Sequence, residues 1–169
     1  MASGDNVVEL YELVGPSANA APLGARSGGS TPGERDLHWA FDDTTTEYKD
    51  FGAILKGYGG SGLTFKLYWR AATATSGQVR WGVAIRRQQA DTDDIDVSHT
   101  YDFNTADTTT ASAAGEEVVT TITFTDGADM DSWADLERAI IRVERVGGQP
   151  AGTPMTGDAQ LISLTGYET

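Results

Sequence analysis

Two runs of strict alternation dominate residues 61–87. In the first, Leu63, Phe65, Leu67 and Trp69 alternate with Thr64, Lys66, Tyr68 and Arg70. In the second, Val79, Trp81, Val83 and Ile85 alternate with Arg80, Gly82, Ala84 and Arg86. A period of two sends successive side chains to opposite faces of a strand, so each run predicts a strand with one buried and one wet face. Ser76-Gly77 supplies turn chemistry between them, and the pair reads as a hairpin. The two inward tryptophans give it a large share of the core.

The rest of the chain repeats this pattern at short spacing. Strands are predicted within residues 5–14, 37–41, 51–55, 99–110, 117–125 and 138–146, and over the closing AQLISLTGYE. In the Glu117–Thr125 run, Val118, Thr120, Ile122 and Phe124 share one face; in the next, Ala139, Ile141 and Val143 do. Met130–Glu137 is the one stretch that reads as a helical turn or two. Residues 15–35 are rich in Gly, Pro, Ala and Ser with no periodicity, which reads as an extended arm that crosses to a neighbouring subunit, or as a plain surface loop. Many short strands separated by turn signals predict an all-β fold, an antiparallel β-sandwich. About eight strands plus an extended N-terminal arm favour a jelly roll. The expected division is an N-terminal strand and arm at 1–35 and a sandwich domain at 36–169.

A length of 169 residues suits one such domain, large enough to fold without staples. The chain has no cysteine, which excludes thiol catalysis, disulfides and cysteine-ligated zinc. Its net charge of −13 repels phosphate backbones, so nucleic acid is not an expected partner. No apolar run reaches the roughly 20 residues of a membrane helix, and MASGDNVVELYEL has no basic and apolar regions of a secretory signal.

Motifs for chemistry are weak. Asp91, Asp93, Asp94 and Asp96 cluster in a way that could suit calcium, but Asp96 and Asp102 stand where a calcium loop needs Gly and Glu, so a solvated acidic loop is expected. His38 and His99 lie in no metal-spaced motif and read as structural. Asp42/Asp43 and Glu116/Glu117 are adjacent carboxylates, which a strand points to opposite faces, so they read as turn acids rather than a glycosidase pair. GYGGSG at 57–62 lacks the lysine and helix of a phosphate loop and reads as a turn. No catalytic, cofactor or metal residue is assigned, and no enzyme activity is expected. Tyr48, Tyr58, Tyr68, Tyr101 and Trp133 are candidates for outward rings on which a sugar could stack; packing or a subunit interface would explain them equally well.

The segment GYGGSGLTFKLYWRAATATSGQVRWGVAIRR resembles small jelly-roll virion proteins of tailed bacteriophages. VVTTITFTDGADMDS, PMTGD with AQLISL, LHWAFDDTT and the opening MASGD resemble the same family. The resemblance covers about two-thirds of the chain and weakens at GARSGGSTPGERD and at Trp133–Glu137. It implies a structural protein of a phage particle, a capsid decoration (cement) or head-fibre component, often a homotrimer. The expected partner is then the major capsid protein, the expected location the capsid surface of the virion, and no cofactor is implied. The alternative is a receptor- or glycan-binding module of a head fibre or tail.

Overall fold

The computed structural model describes residues 4–169; Met1–Ser3, and with them part of the MASGD resemblance, lie outside the described residues. Ten strands follow in chain order: β1 (Val8–Glu12), β2 (Leu23–Gly28), β3 (Glu34–Phe41), β4 (Glu47–Leu55), β5 (Leu63–Ala71), β6 (Gln78–Gln88), β7 (Phe103–Thr109), β8 (Glu117–Phe124), β9 (Arg138–Arg145) and β10 (Ala159–Glu168). They form two five-stranded sheets, sheet I in the order β1-β4-β9-β6-β7 and sheet II in the order β2-β3-β10-β5-β8. Every strand pair is antiparallel. The strands β3 to β10 interleave between the sheets as a jelly roll does, and β1 and β2 each widen one sheet by a strand.

The expected hairpin is corrected. β5 pairs with β10 and β8, whereas β6 pairs with β9 and β7, so the two strands lie in opposite sheets. The reason is the apolar faces themselves. Paired side by side in one sheet, both tryptophan faces would point the same way and would both need apolar cover from other strands. Folded across the gap of about 10 Å between packed sheets, they cover each other. Trp69 and Trp81 meet there with ring centroids 5.8 Å apart. Phe41 stands edge-on to Trp81 at 5.0 Å, and Phe65 to Phe124 at 5.8 Å. Trp69 Nε1 donates to Thr120 Oγ1 at 2.9 Å, which gives a buried ring nitrogen an acceptor inside the core.

The Gly/Pro-rich N-terminal stretch supplies β2, laid along β3 from Leu23 opposite Trp39 to Gly28 opposite Glu34. The expected helix at Met130–Glu137 is replaced by one 3-10 turn at Ala128–Met130. Asp131, Ser132 and Leu136 take left-handed backbone, which stops a helix from propagating. The Thr-rich strand begins at Phe103 rather than His99, because His99 and Tyr101 belong to the loop that folds back over sheet I.

One buried cation ties the end of the sandwich. Arg145 is 3% exposed and donates to the carbonyl oxygens of Phe41 (2.7 Å), Gly157 (2.8 Å) and Met155 (2.9 Å). Burial pulls its pKa down, and the nearby carboxylates of Asp43, Asp158, Asp42 and Glu47 oppose that.

Candidate functional site

The outer face of sheet I carries the densest set of rings and charges away from the core. Strand register arranges them in rows. Tyr48, Glu144, Gly82 and Thr105 form one row across β4, β9, β6 and β7. Asp50, Arg142, Ala84 and Phe103 form the next. Tyr11, Gly52, Ile140 and Arg86 form a third across β1, β4, β9 and β6. These are the alternate positions to Phe51, Ile141, Trp81 and Val83, which point into the core.

Small residues in the middle strands let large ones lie flat. A Cβ at Gly52 would collide with the Tyr11 ring, and one at Gly82 would meet Glu144 Cγ and Oε1 at 2.7 Å and the Phe103 ring at 3.1 Å. A glycine inside a strand commonly marks such a close approach.

Arg142 is the hub. Its Nε and Nη2 donate to the two oxygens of Asp50 at 2.7 and 2.8 Å. Its guanidinium lies 3.8 Å from the Tyr101 ring centre and 5.6 Å from that of Tyr48. Phe103 completes the group, 6.4 Å from Tyr101 and 6.3 Å from Tyr48 between centroids. Burial works against the guanidinium's charge, but the Asp50 pair outweighs it and keeps the pKa above the usual arginine value. Glu144, 8% exposed, has its pKa raised by burial, with Arg142 opposing. None of the described residues donates a hydrogen bond to its carboxylate, so it remains an available acceptor. Further along, Arg138 Nε donates to the Tyr11 hydroxyl at 2.9 Å. Arg86, 5% exposed, faces His99 Nε2, which also lies 2.7 Å from the Asp94 carbonyl oxygen.

Half-buried rings around a fixed ion pair, with the buried Glu144 carboxylate beneath them, present flat apolar area beside hydrogen-bonding groups. A sugar has the same two surfaces, C–H faces and hydroxyl edges, and the arrangement can hold one without any bond being made or broken.

Of the five aromatic candidates, the structure brings Tyr48 and Tyr101 together on this face. Tyr68 lies on the outer face of sheet II, opposite Val119 and Ser163. Two are corrected. Trp133 is 2% exposed, and its Nε1 donates to the Glu137 carbonyl, so it is a core residue. Tyr58 donates from its hydroxyl to Asp126 at 2.7 Å and accepts from Gly62 N–H at 2.8 Å, with its pKa pushed up to about 12 by burial and Asp126; it braces two loops. Tyr11, Phe103, Asp50, Arg142 and Glu144 were not among the sequence candidates. The readable signal for the last two was their alternation with the inward Ala139, Ile141 and Val143.

The remaining candidates serve the fold. Asp42 Oδ1 accepts from the Thr44 hydroxyl at 2.7 Å and from the Thr44 and Thr45 N–H groups at 2.8 Å each, which lowers its pKa to about 2. Asp43 accepts from Gly157 N–H at 2.6 Å, and Glu116 from Ala113 N–H at 3.1 Å; Glu117 is exposed at the start of β8. Asp91, Asp93, Asp94 and Asp96 are exposed in the β6–β7 loop, where Asp93 accepts from Gln89 N–H and Asp94 from Asp96 N–H. Among the described residues no group of three or more His, Cys, Asp or Glu side chains could hold a metal ion. His38 is buried against Gly24 on sheet II, its pKa lowered by burial and then by Arg70.

No protein-family model matches the chain, and no curated protein matches it. Among solved structures it is similar to the xylan-binding module CBM15, with 13% identity, 98% of each chain covered and a TM-score of 0.44. It is also similar to TmCBM61, solved in complex with β-1,4-galactotriose, with 8% identity, 89% of this chain and 92% of that chain covered and a TM-score of 0.38. Likeness at this level carries no weight for the ligand of this chain.

Proposed function

We propose that the protein is a non-catalytic glycan-binding module whose ligand lies on the outer face of sheet I. Its place on a phage particle, in a head fibre or tail, is the part that the sequence resemblance implies. Capsid decoration, the role that the sequence resemblance implies first, is here the alternative. The observation that carries this reading is the packing of Tyr48, Tyr101 and Phe103 around the Arg142–Asp50 pair, with the buried Glu144 carboxylate beside it. In this reading the rings take a pyranose face. Glu144 accepts hydroxyl hydrogen bonds, and Asp50 holds Arg142 in place as a donor.

Weak single-site sugar affinity would suit a protein presented in many copies on one particle, because each further contact is made at a high effective concentration. A glycan array probed with the whole chain tests the reading. Binding to a defined set of oligosaccharides that is lost in Tyr101→Ala and retained in Tyr58→Ala supports it. Full retention in Tyr101→Ala and Tyr48→Ala, or capture by purified capsids with no glycan bound, returns the decoration reading to first place.

A further inference from the structure

Three arginines meet on sheet II, where the β2–β3 hairpin approaches the loop between β7 and β8. Arg26, Arg35 and Arg70 line a cavity of about 740 Å³ there, together with Glu34, Asp36 and Glu116.

Elsewhere arginines are closed off by a carboxylate. Arg80, Arg87 and Arg142 pair with Asp107, Glu137 and Asp50. In this cavity the pairing is incomplete. Arg70 Nη1 donates to Asp36 at 3.0 Å, but its Nε donates to Gln160 Oε1 at 3.1 Å, and Arg26 Nη1 approaches the same oxygen at 3.4 Å. Two guanidiniums thus share one uncharged acceptor. Arg70 Nη2 is buried with no acceptor among the described residues. Arg26 Nη1 also donates to the Ala72 carbonyl at 3.0 Å. That bond fixes the guanidinium and leaves its Nε and Nη2 without an acceptor among the described residues. Gly115, with φ of +86°, keeps the space beside that edge clear, since a Cβ there would lie 2.7 Å from Arg26 Nη2. Arg35 is exposed and has no side-chain partner among the described residues. The positive excess is felt at His38. Burial is the first cause of its lowered pKa; Arg70 then lowers it more than Asp36 raises it, and Arg26 more than Asp158.

We propose that this cavity binds the carboxylate of an acidic sugar, at a site separate from the Arg142 face. The free edge of Arg26 offers two N–H groups in one plane, the geometry that takes both oxygens of a carboxylate, and Arg35 adds donors from the rim. The acids of the cavity select the rest of the ligand. Asp36 is held by Arg70, and Glu116 takes the Ala113 N–H through one oxygen and keeps the other. Ionised Glu34 and Glu116 can only accept, so the groups flanking the bound anion must be donors, as ring hydroxyls are. A second negative charge on the ligand would face those two carboxylates. A polyanion would also be repelled by the net charge of −13, which leaves one carboxylate on a hydroxylated ring. The site does not depend on whether the outer face of sheet I binds sugar.

Chemical-shift titration of the labelled whole chain with glucuronate tests this. Glucuronate should shift the Gly28, Arg35, Asp36 and Gly115 amides saturably, and methyl glucoside, which has the ring without the carboxylate, should not. Arg35→Ala removes an exposed side chain without a partner, so its far-UV circular dichroism spectrum should match the wild type while glucuronate binds about tenfold more weakly. No saturable shift at these amides, an equal response to methyl glucoside, or an unchanged affinity in Arg35→Ala overturns the proposal. So does equal binding of sulfate or inorganic phosphate, which would mean a general anion patch. Shifts confined to Tyr101–Phe103 and Arg142–Glu144 would overturn it too, and would leave the glycan-binding reading of sheet I standing.

Discussion

The Arg142 guanidinium makes a two-pronged pair with Asp50, its Nε and Nη2 at 2.7 and 2.8 Å from the carboxylate oxygens. The two side chains are 20% and 10% exposed, so this is a largely desolvated pair rather than a surface one. Removing one partner strands the other's charge. Asp50→Ala should destabilise the protein by about 2–4 kcal/mol in urea unfolding, below the full cost of a wholly buried pair because some solvent reaches Arg142. The double variant Asp50→Ala/Arg142→Met should recover most of that loss. A single-variant loss under about 0.5 kcal/mol would mean that the pair behaves as a solvated one.

Glu144 supplies a pH signature. Burial raises its folded-state pKa above the ordinary value of 4.5. Between the two values the folded protein binds more protons than the unfolded chain, so stability from this group is fully present below 4.5 and is lost as pH rises through the folded-state pKa. Glu144→Gln cannot ionise. It should therefore be more stable than wild type at pH 7, with the advantage vanishing on the acid side of that window. Asp42 has the opposite sign: its pKa is held near 2, so its contribution is present above its ordinary value of 3.8 and lost as pH falls toward 2. Melting temperatures of Glu144→Gln and Asp42→Ala across pH 2–8 check the two signs. A Glu144→Gln advantage that grows toward low pH would refute the first.

Trp69 and Trp81 face each other; the Trp69 ring nitrogen has a partner in Thr120, while among the described residues Trp81 Nε1 has none. Thr120→Val, of nearly equal volume, should cost about 1–3 kcal/mol by leaving a buried N–H without an acceptor. Thr120→Ser should cost less, since the hydroxyl remains. Thermal unfolding of the pair distinguishes a loss of hydrogen bonding from a loss of packing.

The glycine-rich turn at 57–62 does bind an anion, the chain's own. The Glu168 carboxylate, 2% exposed, accepts from Gly59 N–H at 2.8 Å and Ser61 N–H at 3.2 Å. A Cβ at Gly59 would lie 2.8 Å from Glu168 Oε1. Glu168→Ala and Gly59→Ala should each destabilise the protein, and Glu168→Ala should lower the hydrogen-exchange protection of the Gly59 and Ser61 amides. Unchanged protection would separate the turn from the carboxylate.

The sandwich was readable because alternation is a local property: Leu63 to Trp69 declares its buried face without reference to any other strand. Which strand covers it is not local, and so alternation and the Ser76-Gly77 turn alone suggest β5 beside β6, whereas the two face each other across the core. Trp133 and Tyr58 show the same limit for the site. A ring in a loop-like stretch looks available, but the burial of Trp133 and the hydrogen bond from the Tyr58 hydroxyl to Asp126 depend on residues distant in the chain. Tyr48, Tyr101 and Arg142 lie far apart in sequence and meet only through the register of β4 with β9 and the fold-back of the β6–β7 loop. The small residues Gly52 and Gly82 were the quiet local clue, since each interrupts an otherwise well-filled strand.

Amide chemical-shift mapping of the labelled protein titrated with an oligosaccharide selected on the array tests the central claim most directly. Perturbations should concentrate on Tyr48–Asp50, Gly82–Ala84, Tyr101–Phe103 and Arg142–Glu144. Saturable perturbations confined to the outer face of sheet II or to the β2 edge, or none with any glycan on the array, would contradict it.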